Sequence, residues 1–268
     1  PLNIDASSQF LSALLLNGVF SKTGFDVVLT GKRDAKAYVK ISMKMMEEFG
    51  VSMRQKSENE YEILPSGHYT AREYQIEPDV SAACYFYAMA AILKTKARVY
   101  QIHLDSMQGD VKFLKVLENL GCIVAESEEG VIIDGSQIKE YSGIDIDMSD
   151  FSDQALTMAV VAAFASTPTV IRNIGHIRGQ ESDRVAVIAN ELKKIGCDTE
   201  IIEVNGRTDV KIVPGKLHGA EIETYDDHRV AMSFSLIGLL VEGIVIKNPL
   251  CCKKTFENYF EVLDEITK

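Results

Sequence analysis

A long internal repeat is the sequence feature that most restricts how this chain folds. Gly50, Gly121 and Gly196 each end a helical run and precede an alternation of polar and apolar residues, and they lie 71 and 75 residues apart. Glycine suits the position just after a helix because it adopts positive φ without steric cost. The period exceeds that of solenoid repeats and fits a small subdomain of helices and strands.

Two short strands around a polar turn are predicted after each glycine. Alternation such as Asp209-Val210-Lys211-Ile212 is typical of a sheet with one face toward water. The predicted strand pairs are 51–56 with 61–64, 122–125 with 131–134, and 198–204 with 209–213.

A helix of a different character precedes each of these runs. Its residues are apolar on nearly all faces, and a helix of that kind is buried. Because each such segment begins with small or polar residues, we expect the polar helix starts to gather at one end of the core. Ser81 is the expected cap of the second of them, and residues 105–110 are expected to serve cap and turn contacts rather than ligand binding. The predicted buried helices are 8–20, 81–93, 153–165 and 227–241.

The resulting unit contains helix, strand, helix, strand and strand, with helices inside and sheets outside. The first unit is predicted to begin directly at its buried helix, and the last to contain a helix, a strand at 244–247 and a helix at 256–266 without closing strands. We therefore expect that upstream sequence is missing. The domain boundary is predicted near Glu77-Pro78.

The charged segment Arg178-Gly179-Gln180-Glu181-Ser182-Asp183-Arg184 precedes an amphipathic helical run. Ser182 is the expected N-cap of that helix. Spacing alone favours a solvated, self-paired charge run. The alternative is an anion site, because a helix start with an arginine attracts anions and a neighbouring carboxylate can transfer protons.

Composition excludes several classes of protein. The net charge is −11 and the sequence pI about 5.0, which gives nucleic-acid binding no electrostatic support. The five cysteines form no C-x-x-C pair, which favours reduced thiols and a cytoplasmic protein. No apolar run approaches the roughly 18 residues of a membrane span. With 46% hydrophobic residues, the 268-residue chain has the composition of a globular protein with one or two domains.

Five sequence words follow one another along the chain: Ser7-Ser8-Gln9-Phe10-Leu11, Asp105-Ser106-Met107-Gln108-Gly109-Asp110, Glu181-Ser182-Asp183-Arg184, Tyr225-Asp226-Asp227-His228-Arg229-Val230-Ala231-Met232 and Lys254-Thr255-Phe256. Together they resemble the 5-enolpyruvylshikimate-3-phosphate (EPSP) synthases over essentially the whole chain. The resemblance implies an α/β fold of inside-out lobes, built from repeated βαβαββ units with buried helices and outer sheets. Residues 1–76 would be one unit of the N-terminal lobe, and 77–268 a C-terminal lobe of about three units, the last incomplete.

The resemblance also implies a reaction. The enolpyruvyl group of phosphoenolpyruvate is transferred to the 5-hydroxyl of shikimate 3-phosphate, and phosphate is released. Asp153 matches the aspartate on the attacking hydroxyl, Glu181 the acid–base group at the methylene carbon, and Lys254 a proton source for the departing phosphate. The residues expected to bind phosphoenolpyruvate are Gln9, Arg184, Arg229 and Lys254.

The acceptor, shikimate 3-phosphate, is expected to contact residues of several segments: Ser7, Ser8, Gln9, Tyr38, Asp153, His176 and Gln180. Tyr38 is equally compatible with a purely structural place on an amphipathic helix, as His228 is with a packing role. The chain departs from the family pattern at four positions, mostly on the acceptor side: Ala35, Ala82, His176 and Gln180.

Two alternatives remain open beside this assignment. One is the related enolpyruvyl transferase that acts on UDP-N-acetylglucosamine, and the other is a non-catalytic binding lobe. The family implies no cofactor, no metal ion, no nucleic acid or membrane partner, and a monomeric full-length enzyme in the cytoplasm. Because upstream residues are expected to contribute to donor binding, the 268 residues alone are predicted not to turn over.

Overall fold

The computed structural model shows two compact units. One consists of Pro1–Ile76 with Asp105–Gly109, and the other of Glu77–Leu104 with Asp110–Lys268. The described residues are 1–5, 7–31, 36–65 and 67–268, without the side chains of 36 and 37. Ala35, one of the departures from the family pattern, lies outside them. Among the described residues, no helix is both long and apolar enough to cross a membrane.

The first unit holds one repeat of strands and helices. Its elements are β1 (Leu2–Asn3), α1 (Gln9–Gly18), β2 (Phe25–Thr30), α2 (Lys36–Glu48), β3 (Met53–Ser57) and β4 (Glu60–Ile63). The sheet order is β1-β2-β4-β3, with β1 parallel to β2 and the other neighbours antiparallel. The prediction that this unit begins at its helix is therefore wrong. A strand of two residues is too short to show an alternating pattern.

Helix α1 is only partly buried, contrary to the prediction for 8–20. Leu11 and Leu15 are fully buried in a core formed with residues of the strands and α2. Phe10 and Leu14 are 54% and 39% exposed. The sheet and α2 cover one side of α1, so an apolar composition on all faces did not by itself predict complete burial.

The second unit begins with a helix that is buried on nearly all sides. Its first elements are α3 (Val80–Leu93), β5 (Lys96–Tyr100), α4 (Lys112–Asn119), β6 (Ile123–Ser127) and β7 (Gly130–Asp134). The strands form an antiparallel sheet in the order β5-β7-β6. Asp79 caps α3, because its side chain accepts a hydrogen bond from the Ala82 amide at 3.2 Å. The prediction of Ser81 as the cap is wrong, and its hydroxyl serves another contact.

The next repeat has the topology of the first unit. Its elements are β8 (Asp145–Asp147), α5 (Ala155–Ala163), β9 (Thr169–Arg172), α6 (Arg184–Lys194), β10 (Asp198–Val204) and β11 (Arg207–Val213). The sheet order is β8-β9-β11-β10, again with a parallel first pair and antiparallel neighbours. The predicted βαβαββ repeat is confirmed.

The last elements of the chain form half of such a repeat. They are β12 (Glu221–Ile222), α7 (His228–Ser235), β13 (Val245–Ile246) and α8 (Tyr259–Thr267). The two strands pair in parallel, as β8 and β9 do. A 3₁₀ segment at Pro249–Lys254 connects β13 to the final helix and carries Lys254.

Helices form the centre of the core of the second unit, as predicted, and the strands add buried residues such as Val131 and Ile171. The predicted buried helix 227–241 is shorter in the structure, because α7 ends at Ser235 and a 3₁₀ segment at Leu236–Leu239 follows. All residues of α5 are buried, and most residues of α3 and α7 are buried as well. The many alanines in α3 and α5 allow the helices to approach closely, while each buried leucine or isoleucine contributes about 1.5–3 kcal/mol to stability. The five cysteines lie among the described residues, and none forms a disulfide.

The repeat glycines adopt the backbone conformation that the sequence predicts. Gly121 and Gly196 have φ of 103° and 102°. A Cβ at Gly196 would lie 2.4 Å from the Lys216 carbonyl oxygen, so a larger residue would disrupt this turn. Each glycine lies in the short connection between a helix and the first strand of the following hairpin.

Candidate functional site

The charged segment found in the sequence leads into helix α6. Asp183 caps the helix, because its side chain accepts a hydrogen bond from the Ala186 amide at 3.0 Å. The prediction of Ser182 as the N-cap is wrong. The Ser182 hydroxyl instead donates to Asp227 Oδ2 at 2.9 Å, a tertiary contact that competes with capping.

Arg184 lies at the centre of the site and is 1% exposed. Its Nε and Nη2 donate to the two carboxylate oxygens of Asp227 at 2.8 and 3.2 Å. Nη2 also donates to Glu181 at 2.9 Å, and Nη1 to Asp153 Oδ1 at 3.3 Å. A guanidinium suits this place because its planar fork satisfies several carboxylates in fixed geometry.

Asp227 connects this arginine to the start of helix α7. Its carboxylate is fully buried and accepts the Arg229 amide at 2.9 Å as the N-cap. Burial alone would raise the pKa of Asp227, but the Arg184 hydrogen bonds and charge lower it. The carboxylate therefore stays ionised and fixes α6 and α7 relative to each other.

The start of helix α5 contributes Asp153. This residue lies in a 3₁₀ turn at Ser152–Gln154, immediately before α5. Its Oδ2 accepts from Arg229 Nη2 at 2.9 Å, while Oδ1 accepts from Arg184. The two arginines therefore hold one carboxylate from two sides. The starts of α5 and α7 meet here as predicted.

Glu181 and Lys254 form the more exposed edge of the cluster. Lys254 Nζ lies 2.6 Å from Glu181 Oε1, and the lysine side chain is 57% exposed. Burial raises the pKa of Glu181, but the hydrogen bond from Lys254 and the charges of Arg184 and Lys254 outweigh it and lower the pKa to about 2. Glu181 is thus ionised at neutral pH in this arrangement.

A second, buried layer of polar groups supports the site. Asp110 is 7% exposed and accepts hydrogen bonds from the Ser81 hydroxyl and from Gln154 Nε2, the latter at 3.2 Å. Burial and the neighbouring charge of Asp153 raise the pKa of Asp110 to about 6. Sequence reasoning assigned Ser81 and Asp110 to caps and turns, and it did not consider Gln154. Their spacing in the sequence gave no signal of this contact.

His176 and Gln180, two departures from the family pattern, both lie beside the cluster. The side chain of Gln180 makes two hydrogen bonds: Nε2 donates to Asp153 Oδ1 at 3.4 Å, and Oε1 accepts from Arg184. The His176 ring is 2.7 Å from Ser152 Oγ.

His228 is 3% exposed, and burial lowers its pKa. Its Nδ1 has no hydrogen-bond partner among the described residues.

The remaining predicted residues belong to the first unit. Ser7 Oγ accepts a hydrogen bond from the Gln9 amide at 3.2 Å, at the start of α1. Ser8 is 6% exposed, and Gln9 is exposed. Tyr38 lies on α2 with 57% of its surface exposed.

The described residues include no group of three or more histidine, cysteine, aspartate or glutamate side chains that could hold a metal ion.

A family model described as EPSP synthase (3-phosphoshikimate 1-carboxyvinyltransferase) matches residues 1–263. A curated relative from Nostoc punctiforme, named 3-phosphoshikimate 1-carboxyvinyltransferase, is 42% identical over 97% of this chain and 59% of its own length. One of the same name from Neisseria meningitidis is 37% identical over 100% of this chain and 62% of its own. The chain thus spans about three fifths of these relatives.

Solved structures show the same similarity. The EPSP synthase of Acinetobacter baumannii has a TM-score of 0.78 and 26% identity, over 97% of this chain and 60% of that one. The enolpyruvyl transferase NikO of Streptomyces tendae has a TM-score of 0.67 at 18% identity, over 92% and 56% of the two chains. This second similarity concerns the fold alone.

Proposed function

Because the chain belongs to the EPSP synthase family, we propose that it carries the donor-binding and acid–base residues of a carboxyvinyl transfer. The enolpyruvyl group of phosphoenolpyruvate passes to the 5-hydroxyl of shikimate 3-phosphate, and inorganic phosphate leaves. The observation that carries this proposal is the cluster in which Arg184, Arg229 and Lys254 each contact Asp153 or Glu181.

The three cations of the cluster bind the donor. Phosphoenolpyruvate carries a carboxylate and a phosphate, and guanidinium forks suit both groups. Arg184 is held by the buried Asp227, so its position is fixed before the donor arrives. Arg229 and Lys254 are paired with Asp153 and Glu181, and the donor's anionic groups replace these carboxylates.

This exchange prepares Glu181 for proton transfer. Its pKa is low because Lys254 and Arg184 stabilise the carboxylate. Once the donor occupies these cations, burial dominates and raises the pKa, so that Glu181 takes up a proton. It gives this proton to the methylene carbon when the acceptor oxygen attacks, and it takes the proton back when phosphate leaves.

Asp153 and Lys254 complete the proton balance. Asp153 accepts the proton of the 5-hydroxyl as the new carbon–oxygen bond forms. Lys254 donates a proton to the departing phosphate as the old bond breaks. Asp153 then releases its proton and Lys254 regains one by exchange with water, so that the hydroxyl proton is in effect moved to phosphate. Glu181 ends the reaction with the proton that it held at the start, and it loses this proton when the products leave and Lys254 pairs with it again.

Acceptor binding is assigned to Ser7, Ser8, Gln9 and Tyr38, with Gln180 and His176, from the family resemblance. A serine pair at a helix start offers hydroxyl and amide donors to a phosphate. Gln180 is neutral where the family has a lysine, and its side chain is hydrogen-bonded to Arg184 and Asp153. It therefore contributes less to phosphate binding than a lysine would.

The wider context is part of the same proposal. Residues 1–76 correspond to one unit of the first lobe, and 77–268 to a second lobe of about three units. The contact-based division at Ile76 and Glu77 supports this assignment. The full-length protein, of which this chain is a part, would act on the two small-molecule substrates as a cytoplasmic monomer. The net charge of −11 of this chain disfavours a nucleic-acid partner.

Isothermal titration of the 268-residue chain with phosphoenolpyruvate tests the donor site. Wild type is expected to bind, and Arg229→Met is expected to weaken binding by about tenfold or more, the usual effect of losing a charged hydrogen bond. Arg54→Met, which removes an arginine that is 70% exposed, is the matched control. Absence of binding by wild type contradicts the proposal. Binding of UDP-N-acetylglucosamine in place of shikimate 3-phosphate would shift the acceptor assignment.

A further inference from the structure

The segment before Asp227 has an unusual backbone. Tyr225 and Asp226 have φ of 53° and 58°, so two successive residues with side chains adopt the left-handed conformation. This conformation is costly for an aromatic residue, and it persists only where the surroundings hold it. Asp227, which caps α7 and binds Arg184, follows immediately.

Glu191 holds the first of these residues. It lies on α6 and is fully buried. Its Oε1 accepts the Tyr225 hydroxyl at 2.7 Å, and its Oε2 accepts the Glu223 amide at 3.1 Å and Lys194 Nζ at 2.7 Å. A buried carboxylate thus fixes both the side chain of Tyr225 and the backbone two residues before it.

Asn248 holds the second left-handed residue, Asp226. Its Nδ2 donates to Asp226 Oδ1 at 3.0 Å, and Asn248 is itself left-handed, with φ of 47°. Asn248 immediately precedes the 3₁₀ segment Pro249–Lys254. The bond between Asp226 and Asn248 therefore joins the chain segment that supplies Arg229 to the one that supplies Lys254.

We propose that Tyr225, Asp226, Asn248 and Glu191 form a positioning clamp that sets Arg229 and Lys254 for binding of the phosphoenolpyruvate anion. None of the four belongs to the donor-binding set assigned above. They act through the backbone, because the left-handed turn directs Asp227 toward Arg184 and starts α7 in the correct orientation. The inference rests on the proposed function for the identity of the ligand, whereas the clamp itself is a property of the fold.

A purely structural role predicts a different outcome from a positioning role. If the clamp only stabilises the fold, its loss lowers global stability. Ligand affinity then stays unchanged, and so does local opening relative to global unfolding. If it positions the cations, its loss weakens anion binding and loosens residues 223–229 and 248–254 more than the rest of the unit. The two roles are separable by measuring all three quantities on one set of variants.

Position 226 offers a graded series of variants. Asp226→Asn keeps an oxygen that accepts from Asn248 and tolerates the left-handed backbone. Asp226→Gly keeps only the backbone freedom, and Asp226→Ala keeps neither. Tyr225→Phe removes the hydroxyl from Glu191 and retains the ring. Tyr100→Phe, at a tyrosine that is 64% exposed on β5, is the matched control.

The full chain is titrated with phosphoenolpyruvate, and amide hydrogen exchange and urea unfolding are measured on the same samples. Asp226→Asn and Tyr100→Phe are expected to resemble wild type. Tyr225→Phe and Asp226→Ala are expected to bind about fivefold or more weakly, as the loss of a hydrogen bond gives, and to exchange faster within 223–229 and 248–254. Asp226→Gly is expected to show the same loss, because the contact with Asn248 is absent.

Equal affinity and equal local exchange in all variants would overturn the proposal, as would a loss of stability without preferential loosening of these segments. If wild type itself does not bind phosphoenolpyruvate, the donor assignment fails, and hydrogen exchange alone decides whether the clamp exists. Faster exchange confined to both segments then supports the clamp, and unchanged exchange refutes it.

Discussion

Lys254 Nζ lies 2.6 Å from Glu181 Oε1, and this contact joins the 3₁₀ segment before α8 to the segment before α6. Arg184 binds the other oxygen of the same carboxylate at 2.9 Å. Burial raises the pKa of Glu181, and the hydrogen bond from Lys254 and the charges of the two cations outweigh this effect and lower it. The proposed mechanism depends on this coupling, because an anion that engages the two cations is expected to raise the pKa again.

Binding of phosphoenolpyruvate is therefore expected to be accompanied by proton uptake at Glu181. Its pKa is about 2 in the paired state, and it is expected to rise when the ligand engages Lys254 and Arg184. Titrations at pH 6 to 7 in buffers with different ionisation enthalpies measure the uptake. Glu181→Gln should bind the ligand with less proton uptake than wild type. The difference between the two proteins gives the uptake at Glu181, because any uptake by the ligand itself is common to both. Identical uptake in the two proteins would contradict the coupling.

Loss of Arg184 is expected to destabilise the second unit. Arg184→Met leaves the fully buried Asp227 without its main partner, which costs about 3–5 kcal/mol. Arg54→Met breaks an ion pair whose arginine is 70% exposed and should cost about 0–1 kcal/mol. Urea unfolding of both variants measures the difference. A loss at Arg184 as small as that at Arg54 would mean that Asp227 is not held by this pair.

Two adjacent leucines of α1 test the burial pattern of the first unit. Leu15 is fully buried and Leu14 is 39% exposed. Leu15→Ala is expected to lower the free energy of unfolding by about 2–5 kcal/mol, and Leu14→Ala by less than about 1 kcal/mol. Equal losses at the two positions, measured by denaturant unfolding, would mean that the exposed face of α1 is covered.

Asp110 should make stability depend on pH. Its pKa is raised from 3.8 to about 6, so the folded protein binds this proton more tightly than the unfolded chain does. The contribution of Asp110 to the free energy of unfolding is fully present below about pH 4 and is lost as the pH rises through about 6. Asp110→Asn should therefore gain stability relative to wild type between pH 4 and pH 7, by about 1–3 kcal/mol. Asp150→Asn, in an exposed ion pair, controls for the lost charge. A difference between Asp110→Asn and wild type that does not change with pH would contradict the burial argument.

Much of the fold could be predicted from local patterns. Gly121 and Gly196 marked helix ends because few other residues adopt positive φ easily. The alanine-rich segment at α5 predicted burial because no polar face was present. The two-residue strands β1 and β12 could not be predicted, since they gain their identity only by pairing with β2 and β13.

The site was predicted only in part, for a physical reason. Arg184 and Glu181 share one short segment, so their proximity could be read locally. Asp183 and Ser182 have similar capping preferences, and the choice between them depends on Asp227, 44 residues after Asp183. Tyr225 has a left-handed backbone and a hydrogen bond to Glu191 on α6, and neither feature left a signature in the sequence.

Phosphate release tests the central claim most directly. The chain is joined to the part of the Nostoc punctiforme relative that it does not cover, and phosphate is measured with phosphoenolpyruvate and shikimate 3-phosphate. The account predicts turnover by this protein, a loss of about 10²-fold or more in Glu181→Gln, as is usual when an acid–base group is removed, and no such loss in Arg54→Met. Turnover by Glu181→Gln at the rate of the unmodified protein, or phosphate release that does not require shikimate 3-phosphate, would contradict it.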